Sequence, residues 1–361
     1  MIGQRLKLAR SAAGLSLRDL SSEMGNLVTA QAIGKYERND AQPGSKVLIA
    51  LSRALKVSVD YLAGDQELVL EDVDFRKKSI TSVKEVAQVE AQTLHLVERY
   101  LMVEELLALP SSEWAAPPES PYPARQLADA ERAAEKVREA WELGVDPIPN
   151  FIELLEERGI KILSVRLSNI DGLTAKVSRG NKPAAPVIVL NSESWGERQR
   201  FTLAHELGHM VLNMRGGLDP EKAAHRFAGA FLMPAESIWG EIGKHRTSIG
   251  WGELFELKKL FGVSVQAIVY RCHDLDIFPQ GLHQSLFKQI TKEGWRKPPY
   301  EEPYAMKPER PIRFNRLCFR ALSEGAISEA KAAELLGITV HQLIQVMDQP
   351  VESDVLEALE T

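Results

Sequence analysis

Cysteine is almost missing from this 361-residue chain: Cys272 and Cys318 are the whole complement, and no Cys-x-x-Cys pair occurs. That argues against a disulfide scaffold and against a thiolate-ligated zinc finger. Also missing is any run of about 18 uncharged residues, as a membrane-spanning helix requires. Arg10, Arg18 and Asp19 break up any signal-like apolar stretch near the start. No repeat of fixed period is present. The expectation is a soluble cytoplasmic protein with no membrane partner. What is present, 44% hydrophobic and 26% charged residues, suffices for proper cores and argues against disordered and fibrous classes. The length suggests two or three domains.

The formal net charge of −6 is unevenly spread. Residues 1–64 hold nine Lys and Arg against five Asp and Glu, whereas the remainder holds 35 against 45. A basic head on an acidic body puts any nucleic-acid contact at the N-terminus. Residues 2–62 read as five short helices, with Ser16 capping the second, Gly25 ending it, and a third over about Thr29–Arg38. Residues 65–80 are charged and lack a clear period, which reads as a linker. A long amphipathic helix follows over 83–109. Five prolines within 110–124 mark the clearest domain boundary. Helices near 125–142 and 150–158, strands at 160–165 and 186–191, helices from Ser194 to about Asp274, a Pro-rich charged stretch over 279–312 and a helical 313–350 complete the chain.

Within the helical stretch stands His205-Glu206-Leu207-Gly208-His209. Histidines four apart share one helix face and can bind a single Zn²⁺, and Glu206 beside the first is placed as a general base. The helix is supported by the Leu203, Leu207, Val211 stripe, and Ser194-x-x-Glu197 has capping-box form. A third ligand is expected from the next helix, which Asp219-Pro220 opens as N-cap and first-turn proline. Glu221 in its first turn is favoured. Asp219 and His225 compete.

Residues 200–209, followed by Glu221-x-x-Ala224-His225-x-Phe227-Ala228-x-x-Phe231-Leu232-Met233-Pro234, resemble the ImmA/IrrE family of metallopeptidases. The resemblance covers about residues 150–275. It implies zinc ligands His205, His209 and Glu221 with Glu206 catalytic, and a protein repressor as substrate, cleaved in response to stress. His225 stands where the family often has Asn, so it is a candidate to support the ligands or to donate in the transition state; Tyr270, Arg271 and His273 are candidates to support the site or stabilise an oxyanion. The strand Val187–Asn191 is either an exposed edge that takes an extended peptide by β-augmentation or an internal core strand.

The pattern Leu15-Ser16-Leu17-Arg18-Asp19-Leu20, then Ile33-x-x-Tyr36-Glu37, then Leu48-x-x-Leu51-x-x-x-Leu55 resembles the XRE, or lambda-repressor-like, helix-turn-helix family. Its turn, Gly25–Val28, is about two residues longer than usual, and Leu17 stands where Gln commonly touches phosphate. The resemblance implies that the third helix enters the major groove of double-stranded DNA, with Thr29, Ala30, Gln31 and Lys35 toward the bases and Arg18 and Arg38 on phosphates. A weaker helix-turn-helix echo at Ile327–Val346 lies in an acidic region and suits packing or protein contact.

The expected fold is mainly α with a small β-sheet. It comprises an N-terminal five-helix helix-turn-helix domain (1–64), a linker with a long helix and Pro-rich segment (65–124), a gluzincin-like α+β metallopeptidase domain (125–278), and a Pro-rich segment with a C-terminal helical region (279–361). Two functions compete: a DNA-binding regulator whose zinc peptidase cuts a repressor, and a non-enzymatic repressor or antitoxin-type regulator using the zinc fold as a binding platform. The long linker helix makes a homodimer a candidate in either case.

Overall fold

A computed structural model describes residues 2–63, 68–77, 83–109, 114–167, 170–179, 182–296 and 302–348. The first five helices, α1 (Ile2–Ala12), α2 (Leu17–Glu23), α3 (Ala30–Glu37), α4 (Ser45–Leu55) and α5 (Val59–Ala63), close over Leu6, Leu20, Ile33, Leu51 and Leu62. Ser16 caps α2 through a reciprocal box with Asp19, and Thr29 caps α3 by accepting from the Ala32 N–H. Gly25 and Asn26 turn the chain between these helices with successive positive φ angles, which is how the longer turn is accommodated.

Residues 65–80 are not a plain linker, because most of them form the strand β1 (Leu68–Lys77). The helix that follows, α6 (Val83–Leu106), is a spine with three clients. Its middle carries the helix-turn-helix bundle, since Arg5 of α1 is buried in an ion pair with Glu98 and donates to the Tyr61 carbonyl at 2.9 Å. Gln92 adds a bond to the Ala12 carbonyl at 3.0 Å. His95 packs edge-on against Tyr61, and burial, reinforced by the charges of Arg99 and Arg5, pushes its pKa down to about 4. It therefore sits neutral in this interface at neutral pH.

Beyond α6 come β2 (Tyr122–Ala124), α7 (Leu127–Ala140), α8 (Phe151–Glu157), β3 (Lys161–Val165), β4 (Ile170–Arg179) and β5 (Lys182–Asn191). The four-stranded sheet runs β1-β4-β5-β3, with only the β3–β5 pair parallel. β5 is thus internal, which settles the alternative left open for Val187–Asn191: both its edges are occupied. Its Val187 and Val189 face α6, while Ile188 and Leu190 face the opposite core. β4 was not anticipated, although Leu173, Ala175 and Val177 alternate with Thr174, Lys176 and Ser178.

The opposite face of the sheet is covered by α9 (Gly196–Val211), which runs into β6 (Leu212–Met214) and then α10 (Pro220–Leu232). β6 pairs in parallel with β2, so the Pro-rich segment ends inside this core, with Tyr122 and Ala124 buried. Helices α11 (Ala235–Ile242), α12 (Trp251–Phe261), α13 (Val265–Asp274) and α14 (Gln280–Lys292) complete it. The last of these lies in the stretch read from sequence as Pro-rich and charged. Helices α15 (Arg313–Ser323), α16 (Glu329–Leu336) and α17 (Val340–Asp348) form the third client of α6, packing on its Tyr100 and Val103. Both cysteines are buried and free.

The α6–β3 junction holds a sealed ion pair. Lys161 Nζ lies 2.5 Å from Glu104 Oε1, with both side chains almost wholly buried. Burial pulls the Lys161 pKa down, and Glu104 opposes that pull. Lys161→Met alone should lower stability by about 3–5 kcal/mol, because it leaves the buried Glu104 carboxylate with only Arg313, 3.9 Å away. Adding Glu104→Leu should recover most of the loss. Urea unfolding of the single and double variants checks this, and equal destabilisation in both would contradict it.

Candidate metal centre

The helix α9 is apolar on the sides that Leu203, Leu207 and Val211 occupy, and all three are fully buried. Its start differs from expectation. Trp195 is the N-cap without a side-chain bond, and the Ser194–Glu197 capping box is not made. Glu197 instead accepts from the Met306 N–H at 2.9 Å and pairs with Lys258 at 2.9 Å. The tertiary partners win because residues 302–312 run back across this end of α9. The Gly196 N–H donates to the Met306 carbonyl at 3.0 Å, and a Cβ on Gly196 would stand 2.6 Å from the Lys307 carbonyl oxygen. Arg200, buried one turn later, pairs with Glu309 and donates to the Ile148 carbonyl at 2.6 Å.

The second helix reaches α9 through a glycine contact. A Cβ on Gly208 would lie 3.1 Å from the Phe227 ring and 3.3 Å from Ala224 Cα, so α9 and α10 approach as closely as a bare backbone allows. Gly216 and Gly217, both with positive φ, turn the chain back, and Asp219 caps α10 by accepting from the Glu221 and Lys222 N–H groups. That cap commits the Asp219 carboxylate to backbone. Glu221, one position into α10, instead meets both histidines.

The resulting donor set is compact. His205 Nε2 and His209 Nε2 are 2.9 Å apart, and each lies 3.3 Å from a different oxygen of Glu221. Donors held about 2.0–2.1 Å from one tetrahedral ion are about 3.3 Å from each other, so these residues fit zinc. Among the described residues this is the one group of three or more His, Cys, Asp or Glu donors drawn together in this way. His205 is sealed from solvent, His209 is slightly exposed, and the Glu221 side chain is 63% exposed, which leaves the centre open on one side.

Glu206 points away from that cluster's α10 side and toward the sheet. It is 3% exposed, and its Oε2 accepts a 2.5 Å hydrogen bond from Thr174 Oγ1 of β4. Thr174 escaped the sequence reading; the alternation of β4 was the available signal. His225 sits one turn beyond Glu221 with its ring 4.6 Å from that of His205. Tyr270 is half exposed and packs on Phe287. His225, Tyr270 and Glu221 line one cleft of about 600 Å³. A second hollow of about 260 Å³ opens on the other flank, against Glu206, His209, Thr174 and Asp72.

Arg271, a candidate oxyanion donor, is elsewhere. It is buried, donates to the Met233 carbonyl at 2.8 Å, and holds Glu131 with two bonds of 2.8 and 2.6 Å. Burial pushes the Glu131 carboxyl up, but the hydrogen bonds and charges of Arg271 and Arg226 outweigh it and hold the carboxyl below its usual range. Arg271 therefore ties α13 to α7 and α10 and does not line the cleft.

In the N-terminal bundle, Gln31 and Lys35 are exposed one turn apart on α3, with Arg38 at its C-cap and Arg18 exposed on α2. Arg38 reaches Asp40 at 2.8 Å, but both side chains stay more than half exposed. Thr29 holds the cap and Ala30 is half-buried. Docking on α6 uses α1, so the α3 face is left open.

The α9–α10 contact yields a test of the centre that leaves every ligand in place. Gly208→Val should force α10 outward and lower zinc affinity by at least about tenfold, the range in which misoriented ligands are felt. Glu221→Ala should lower it at least as much. Competitive chelator titration checks both, and full zinc affinity in Gly208→Val would refute the role of this contact.

Comparison with known proteins agrees with this division of the chain. Residues 155–273 match the family model described as IrrE N-terminal-like domain, a peptidase family, and residues 6–62 match the one described as helix-turn-helix. A SPbeta prophage-derived uncharacterized HTH-type transcriptional regulator of Bacillus subtilis (strain 168), YonR, is 42% identical over 62 residues. That match spans 17% of this chain and 56% of that protein. No described helix is long and apolar enough to cross a membrane. The chain therefore joins an XRE-type helix-turn-helix domain to an IrrE/ImmA-like, metallopeptidase-like domain within a mostly helical fold that carries a small mixed sheet.

Proposed function

We propose that this protein is a DNA-binding transcriptional regulator whose second domain is a zinc-dependent endopeptidase acting on a protein repressor. The observation that carries the enzymatic part is the convergence of His205, His209 and Glu221 beside a buried glutamate oriented by a strand hydroxyl. Zinc held by those three residues would polarise a peptide carbonyl and acidify a water. Glu206 is the general base in this reading: its carboxylate takes a proton from the attacking water and returns it to the leaving nitrogen. Thr174 positions that carboxylate by bonding one oxygen. His225 and Tyr270 line, with Glu221, a cleft on the side open to solvent and are placed to contact bound substrate there. The domain limits that fit this reading are 1–64 for the DNA reader and, for the peptidase, a core that begins before β2 and includes the 302–312 segment.

The DNA part rests on the open α3 face. Gln31 and Lys35 reach base edges in the major groove, and Arg18 and Arg38 hold phosphates. Gln31→Ala in the full chain should relax base preference. Arg38→Ala should weaken all duplexes alike and reduce the salt slope of log K by about one. Anisotropy titrations over a salt series separate the two, and unchanged slopes in Arg38→Ala would remove it from the interface.

The peptidase is tested by Glu206→Gln, which keeps the shape and the Thr174 contact but not the base. Zinc content and operator binding should match the unmodified chain, whereas repressor turnover should fall by about 10²–10⁴. Repressor lifetime under inducing conditions is the readout. Equal clearance by both proteins would replace the enzyme with a binding platform.

A further inference from the structure

Strand β1 pairs with β4 beside the hollow that Glu206 and His209 line. Under the peptidase reading, on which this inference rests, the flank of Glu206 and His209 that β4 borders is where an extended substrate can pair with the sheet. The sheet order leaves β4 one side for strand addition, because β5 holds the other. That side is taken by the chain itself. β1 runs antiparallel to β4 from Leu68 opposite Arg179 to Lys77 opposite Ile170.

The pairing is broken in the middle and slips again between Arg76 and Lys77. Glu71 faces Lys176 and Asp74 faces Thr174, so the ladder slips at Asp72 and Val73, with Asp72 at a φ of 50°. This bulge falls at the height of Thr174, the residue that bonds Glu206. Asp72 is the β1 residue that borders the hollow of about 260 Å³ shared by Glu206 and His209, and its carboxylate meets Lys176 at 2.8 Å. Leu68, Leu70 and Val73 turn the other way and pack with Val89 and Val97 of α6. Main-chain pairing, alternate apolar anchors and one charged pair are the elements of β-augmentation.

We infer that β1 is an internal peptide occupying the substrate edge of β4. The partner that this edge fits is an extended segment with apolar residues at alternate positions and an acidic residue opposite Lys176. Such a segment pairs with β4 only by displacing β1, which is joined to the helix-turn-helix domain on one side and to α6 on the other. Tethering makes β1 a strong competitor, because a tethered strand acts at an effective concentration on the order of millimolar.

The probe is a fluorescein-labelled peptide copying residues 68–77, added to zinc-loaded full-length chains. In an open chain, residues 68–77 are replaced by Gly and Ser. In a locked chain, Val69→Cys and Ser178→Cys are oxidised to a cross-strand disulfide, which opposed antiparallel positions about 4.5–5.5 Å apart permit. The open chain should bind the peptide at least tenfold more tightly than the locked one. Hydrogen exchange along 170–179 should quicken in the open chain and slow again with peptide. If the Gly-Ser chain does not fold, Leu68→Ser with Leu70→Ser serves as the loosened form. Equal peptide binding by open and locked chains overturns the inference. Repressor turnover in the same chains separates the two claims. Cleavage unaffected by the lock removes β1 from the substrate edge and leaves the peptidase standing. Peptide binding as expected without cleavage in any chain does the reverse.

Discussion

The near-contact of two helix backbones at Gly208 sets the rest of this domain. A metal site built from side chains four apart on one helix supplies two donors on one side of an ion, and the third must come from elsewhere. It comes from α10 only if the two helix axes lie close enough for a short carboxylate to reach both imidazoles. Gly208 against Ala224 and Phe227 provides that approach. The Gly216-Gly217 reversal and the Asp219 cap then place Glu221 at the first exposed turn.

That approach is supported because α9 is also held from below and at its N-terminal end. Below it lie Ile188 and Leu190 of the sheet, and its N-terminal turns are gripped by the 302–312 segment through Glu197, Arg200 and Glu309. These are buried charged groups paired with one another and with backbone, an arrangement that costs more to disturb than a surface pair. A stretch that looks like a Pro-rich connector is thus a brace for the helix that carries the candidate ligands. Arg271 plays the same part for α10, locking it to α7 through Glu131.

The linker helix α6 gives the chain its second organising principle. One helix seats the DNA-reading bundle, the outer face of the sheet and the C-terminal helices, through separate residues along its length. The bundle docks by α1 and keeps α3 free, so the domain arrangement and an open DNA face are compatible. The segment between bundle and spine is spent on the sheet as β1. In consequence, the two domains are connected through the flank of the candidate centre and not merely past it.

Much of this was written locally. Helical periods, the Ser16 and Asp219 caps, the one-turn spacing of His205 and His209 and the exposed α3 positions all depend on neighbours within a few residues, so sequence by itself determined them. What it left open were matters of partnership: Glu221 over Asp219 or His225, β5 as an internal strand, Thr174 behind Glu206, Arg271 in a structural tie, and Glu197 bonded to residue 306 in place of a cap. β1 shows why. Its alternation of apolar positions is put out of phase by the Asp72 bulge, so no single period of two runs through it, and the strand exists because β4, a hundred residues later, offers it hydrogen bonds. Local spacing decides which side chains share a face. Only the packed fold decides what each face meets, because that depends on contacts between residues far apart in the chain.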